Sequence, residues 1–193
     1  MIPALLLVFC VAAYRVLTGL LIHSGATWLS NFTPLAAVAL CCAAYLPRRF
    51  KFALPLVTLF LSDLILNASY GAPLFAPQIL SRYFALVLVG WIGFALRKHA
   101  SLKTLLPACL ASSIIFCVVT NAFSWLTDPA YTKNFAGLLQ ALTIGVPQYS
   151  STPTWMFFRN SLVSDLIFTV AFVFCMRAQR RPARTSIALA RAA

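Results

Sequence analysis

The sequence predicts an all-α, polytopic membrane fold of six transmembrane helices, on three observations. Of 193 residues, 62% are hydrophobic and only 9% charged, too few polar side chains to cover a water-soluble domain of this length. The apolar residues gather into runs of roughly 20, the length a helix needs to cross a bilayer. Eleven of the 15 Lys and Arg then fall in three clusters between or after those runs, as the positive-inside rule requires.

The first span is expected at Pro3–Ile22. Ser24-Gly25-Ala26 could end a signal peptide, but no basic segment precedes the run and Arg15 interrupts it. A retained helix is the better reading. The second, Thr33–Leu46, is short. Asn31 or Thr33 is placed to cap it and Pro34 sits early in it, while Ala39 and Ala43 offer a small face for close helix contact. Arg48, Arg49 and Lys51 separate it from the third span, Phe52–Asn67. The fourth, Ile79–Leu96, is followed by Arg97, Lys98 and Lys103, and the fifth covers Thr104–Leu126. The connection 127–154 is rich in Pro, Gly, Tyr and Thr. Its apolar centre, Ala136–Val146, reads as a short helix or re-entrant segment packed as a lid, with a plain connector as the alternative. Trp155–Met176 is the sixth span.

Residues 1–176 thus form the transmembrane domain and 177–193 a basic cytoplasmic tail. With loops 47–51 and 97–103 inside and an even span count, both termini face the cytoplasm of a bacterial inner membrane. The echo between Leu61-Ser-Asp-Leu-Ile-Leu66 and Val163-Ser-Asp-Leu-Ile-Phe168 mildly favours two three-helix halves.

A net charge of +12 raises the question of nucleic acid. The cations sit at the ends of apolar runs with no aromatic-interleaved basic domain, so the expected partner is the lipid bilayer and not nucleic acid. The six cysteines lie inside apolar runs without C-x-x-C or histidine spacing, so neither disulfides nor a metal site is expected. No nucleophile elbow, zinc-protease helix or phosphate-binding loop occurs. The expectation is a non-enzyme with no catalytic residue, no metal and no cofactor; an intramembrane enzyme built on Asp63 and Asp165 is the remotest alternative.

Function is sought in the charges that fall inside the spans: Arg15, Asp63, Arg82, Arg159 and Asp165. Each costs at least about 2.5–3.5 kcal/mol in a bilayer unless it is paired or lines a wet cavity. At ~1.5 Å per helical residue all of them fall between the midplane and the outer surface, which suggests a polar pocket open to the outside. Asn67, one turn from Asp63 on the same face, joins that site with Asn121 and Asn160, and Trp125 and Trp155 are candidate stacking walls. Arg159 and Asp165 lie about 120° apart on their helix and cannot simply pair. Asp165 is expected to neutralise Arg15 or Arg82, leaving Arg159 to face the solute. Three arginines against two aspartates suit an anionic or zwitterionic small molecule. The competing reading is a scaffold or assembly factor whose charges only lock helices together, with Arg82 and Arg159 snorkelling to the headgroups.

The ordered motifs Arg15, Asn31-Phe-Thr-Pro-Leu35, Ser62-Asp63-Leu64, Thr120-Asn121 with Trp125-Leu126, Tyr131-x-Lys133-x-x-x-Gly137-Leu138 and Phe158-Arg159-Asn160-x-Leu162-x-x-Asp165-Leu166 carry a resemblance over residues 12–175. The chain resembles an uncharacterised family of small bacterial membrane proteins described as transport proteins. That family is distantly similar to the substrate-binding S components of energy-coupling-factor transporters. The resemblance implies a six-helix bundle, an outward pocket roofed by outer loops, and partners in the form of a coupling subunit and ATPases. Where relatives carry Cys-Tyr after the Gly-Leu, this chain has Gln140-Ala141, a departure in the expected lid.

Overall fold

A computed structural model describes the backbone of residues 2–23, 30–71 and 77–192, and the side chains of 5–21, 30–69, 71 and 78–179. The tripeptide Ser24-Gly25-Ala26 and much of the connections after the first and third expected spans lie outside these residues. Among them are seven α-helices and no strand: α1 (Ile2–His23), α2 (Leu35–Tyr45), α3 (Ala53–Tyr70), α4 (Pro77–Leu96), α5 (Leu102–Thr127), α6 (Phe135–Thr143) and α7 (Thr154–Ala192). A 3-10 turn, Arg97–His99, ends α4.

Each of the six expected spans is helical, but they are not equivalent. Gln78–His99, Leu102–Thr127 and Thr154–Gln179 are long and apolar enough to cross a membrane; the apolar cores Leu5–Leu21, Leu35–Tyr45 and Ala53–Ser69 are shorter. The difference is largest for α2. Its 11 residues make about 16 Å of helix, against a hydrocarbon core of about 30 Å.

This short helix is the hub of the bundle. Ala36 through Ala44 are all buried, and α3, α4, α5 and α7 pack around them. Only a helix made largely of alanine and cysteine lets four neighbours approach this closely. The tightest approach is Gly93 of α4: a Cβ there would sit 2.2 Å from the Leu40 carbonyl oxygen. Outside α2 the core is filled by Leu59, Leu86, Val89, Leu105 and Phe172. Phe9, Phe84, Trp91, Ile167 and Phe174 are each more than half exposed around the rim, a surface suited to lipid tails.

Local signals set the helix ends. Ser101 and Thr104 form a reciprocal capping box that starts α5. Asn134 accepts the Gly137 amide to start α6, and Gly145, at φ +77°, follows its end. The segment expected as a separate tail from residue 177 continues α7 as helical backbone to Ala192.

Candidate functional site

Arg15 is the starting point, because α1 turns it inward against α3. The Arg15 guanidinium donates to Ser62 Oγ and, at 2.5 Å, to Asp63 Oδ1. Arg82, from α4, reaches the same carboxylate oxygen at a looser 3.3 Å. The Arg15 and Asp63 side chains are 10% and 7% exposed and Arg82 is 29% exposed. Two guanidinium groups therefore share one carboxylate oxygen, and one positive charge is left over. Arg15 is locked, while Arg82 keeps most of its donors free of protein acids.

These two arginines line a cavity of about 400 Å³, at the small end of the range for small-molecule sites. Six helices and one turn build it. α1 supplies Arg15, Thr18 and Gly19; the turn before α2 supplies Asn31 and Thr33, and α2 itself Leu35. α4 adds Gln78, Ser81 and Arg82, while α3 adds Leu66. α5 presents the stripe Cys117, Thr120, Asn121 and Ser124 with Phe116, and α7 presents Thr154, Phe157, Phe158 and Ser161. Asn31 holds φ +58°, a left-handed conformation that asparagine tolerates better than most residues, and it does so at the cavity wall.

Of the sequence candidates, Arg15, Arg82 and Asn121 line this cavity, and Asp63 stands immediately behind it, joined to both arginines. Asn67 is one turn from Asp63 but does not line the cavity. The spare oxygen of Asp63, Oδ2, has no hydrogen-bond partner. Asp63 also lines a second, apolar groove of about 410 Å³ between α3 and α4, with Phe60, Leu64, Leu80 and Tyr83. One carboxylate thus forms the partition between a polar cavity and a greasy groove.

Asp165 departs from expectation. It pairs with neither Arg15 nor Arg82. Its side chain is wholly buried and accepts the Ala37 backbone N–H at 2.9 Å and the Ser113 hydroxyl at 2.7 Å. Ala37 lies in the first turn of α2, a helix with Pro34 at its cap position and no side-chain cap of its own. A carboxylate from α7 therefore caps α2 from outside, at the end where unpaired N–H groups and the helix dipole favour negative charge.

Arg159 also departs. It donates to its neighbour Asn160 at 3.1 Å and stacks on Trp155 with 5.7 Å from guanidinium to ring centroid, and neither residue lines the cavity. Asn160 in turn donates to the Ser30 carbonyl, so this trio holds the turn that precedes α2. Trp125 is no stacking wall either: its indole N–H donates to the Thr132 carbonyl at 2.8 Å, tying the connection 127–154 to α5. The aromatic walls are instead Phe116, Phe157 and Phe158. The expected lid also needs correcting. α6 packs on α5 and α7, and no residue from 127–153 lines the cavity.

Two signals for the true walls were present in the sequence. Cys117, Thr120, Asn121 and Ser124 recur at helical spacing on one face of α5, and Thr154, Phe158 and Ser161 do so on α7. The first is a polar stripe in an apolar helix, and the second sets two hydroxyls around an aromatic ring.

Three membrane-length helices and an arginine-lined cavity inside an all-helical bundle mark the chain as a helical membrane protein with an interior polar site. It belongs to a family of unknown function (DUF6580), whose model matches residues 1–185. No curated protein and no solved structure matches it.

Proposed function

We propose that this protein is the solute-binding subunit of a membrane transport system and that its cavity takes a small anionic or zwitterionic molecule. The observation that carries the reading is the shared carboxylate: Arg15 and Arg82 converge on one oxygen of Asp63, leaving a net positive charge at a cavity of about 400 Å³. Asp165 does not cancel that charge, since it is buried away from the cavity and spent on the α2 amides. Arg82 is the group that meets the solute; Arg15 and Asp63 hold it in place. Phe116, Phe157 and Phe158 would pack the apolar part of the ligand and Asn121 its polar edge.

In this reading six helices enter the inner membrane, α2 only part of the way, and both termini are cytoplasmic. The resemblance to S components adds a coupling subunit and ATPases as partners. The topology is checked by single-cysteine labelling of intact cells on a cysteine-free background. Position 133 should be modified and position 100 protected; labelling at 100 refutes the orientation.

The binding reading is tested by thermal unfolding of detergent-purified protein with a panel of small carboxylates, phosphates and zwitterions. One class should raise the midpoint in the wild type and fail to do so in Arg82→Gln. If nothing in the panel shifts the wild type, the second reading stands: a scaffold whose charges are structural. That alternative has its own support in Arg159 and Asp165, both consumed by internal contacts.

A further inference from the structure

The end of the bundle opposite the cavity carries a second charged site. Lys51 lies in the turn between α2 and α3, and its residue is 6% exposed. The Lys51 ammonium sits 4.7 Å from the centroid of the Phe94 ring, and the Arg97 guanidinium 4.6 Å from the same centroid. Two cations therefore share one aromatic ring, which is favourable for each alone and repulsive between them.

Three further contacts hold the geometry. Phe94 meets Trp91 edge-on at 6.0 Å, and Trp91 packs against Phe52, next to Lys51 in the chain, at 6.2 Å. The Phe52 ring fits because residue 90 is glycine; a Cβ there would lie 2.5 Å from it. Finally, the Tyr45 hydroxyl donates to the Ala100 carbonyl, which joins the end of α2 to the end of α4. Burial and the nearby charges of Arg97 and Arg48 pull the Lys51 pKa below the ordinary lysine value.

No side chain of this protein can neutralise the cluster. The chain has three acidic residues in all. Asp63 serves Arg15 and Arg82, Asp165 serves α2, and Asp128 accepts from Ala130 and Tyr149 in the outer loop. Among the described residues Lys51 has no hydrogen-bonded or ion-paired partner, so the counter-charge must come from outside the chain.

We propose that Lys51, Arg97 and Arg48 form a phosphate-binding site that takes the headgroup of an anionic phospholipid, with the exposed Trp91 ring beside the glycerol and upper acyl chain. Tryptophan at the level where a helix leaves the membrane suits that contact, and a lipid phosphate supplies the negative charge the chain lacks. Free phosphate shares the headgroup chemistry, so the experiment separates the two. The site is independent of the solute cavity.

The test uses full-length protein in neutral detergent and follows the unfolding midpoint with phosphatidylglycerol, phosphatidylcholine or inorganic phosphate. Phosphatidylglycerol should raise the midpoint and phosphatidylcholine should not. Lys51→Gln should lose at least half of that shift, while Lys103→Gln, an exposed residue removing the same charge, should keep it. Should Lys51→Gln not fold, Arg97→Gln takes its place with the same expectation. If inorganic phosphate alone gives the full shift and Lys51→Gln abolishes it, the site stands with free phosphate as its ligand. The proposal is overturned if no phosphate compound shifts the wild type, or if Lys51→Gln and Lys103→Gln lose the shift equally.

Discussion

Replacing Asp165 separates two explanations of a buried acid. Alanine at 165 removes the acceptor for the Ala37 N–H and the Ser113 hydroxyl. Ser113 already donates to the Cys109 carbonyl at 3.0 Å, so it retains a partner, whereas the α2 amide does not. Two interhelical hydrogen bonds are worth about 0.6–2 kcal/mol each in membrane proteins, and loss of a helix cap costs about 1 kcal/mol more. Asp165→Ala should therefore destabilise by about 2–5 kcal/mol. Asparagine is nearly isosteric: its oxygen can still accept from Ala37 and its amide can donate to Ser113 Oγ. Asp165→Asn should cost no more than about 1 kcal/mol. A counter-ion to an arginine would behave differently, since either substitution would strand a buried charge at about 3–5 kcal/mol. The assay is equilibrium unfolding in mixed dodecylmaltoside and SDS micelles, followed by helical circular dichroism. Equal losses for the two variants would refute the capping role.

Three further outcomes are expected. Arg15→Gln should destabilise by about 3 kcal/mol by stripping the close partner from a buried carboxylate; the same unfolding assay checks this, and a neutral result would mean that Arg82 alone suffices. Gly93→Ala should cost about 1–3 kcal/mol, because its methyl group would meet the Leu40 carbonyl oxygen, while Gly71→Ala, where a Cβ meets nothing, should show only the smaller cost of its left-handed backbone. The phenol of Tyr149 titrates above the ordinary tyrosine value because of its hydrogen bond to Asp128, then burial, then the Asp128 charge. Its contribution to holding the connection 127–154 is thus present below about pH 10 and lost as pH rises through the raised value. Phenolate absorbance should show one tyrosine titrating earlier in Asp128→Asn than in the wild type.

The helices themselves were legible because 20-residue apolar runs bounded by cations have few other readings. The meeting of Arg15, Asp63 and Arg82 was legible in part, since depth along each helix placed all three in the same half of the bilayer. Asp165 was misread for a physical reason. Charge bookkeeping along a sequence counts side chains, and the partner of Asp165 is the backbone of a helix end, which carries no letter. Arg159, expected to face the solute, lies instead on its chain neighbours Asn160 and Trp155, local contacts that a count of charges along the sequence does not register. The expected lid rested on apolarity and on the family resemblance; α6 satisfies the first by packing on α5 and α7, and no residue of 127–153 lines the cavity.

The length of α2 bears on how such a cavity arises. A helix about 10 Å across that reached the cavity end of the bundle would fill roughly another 14 Å of its axis, or on the order of 1,100 Å³. The chain instead enters α2 partway down, through the turn at Asn31 to Pro34, and that turn with the surrounding side chains occupies only part of the vacated column. The remainder is the cavity. Its walls are ordinary helix faces, and no core residue had to be hollowed out to make room. Its size is therefore set by where one helix begins. Relatives that add or remove a single turn ahead of Leu35 would resize the chamber in steps of about 5.4 Å and leave the rest of the bundle as it is.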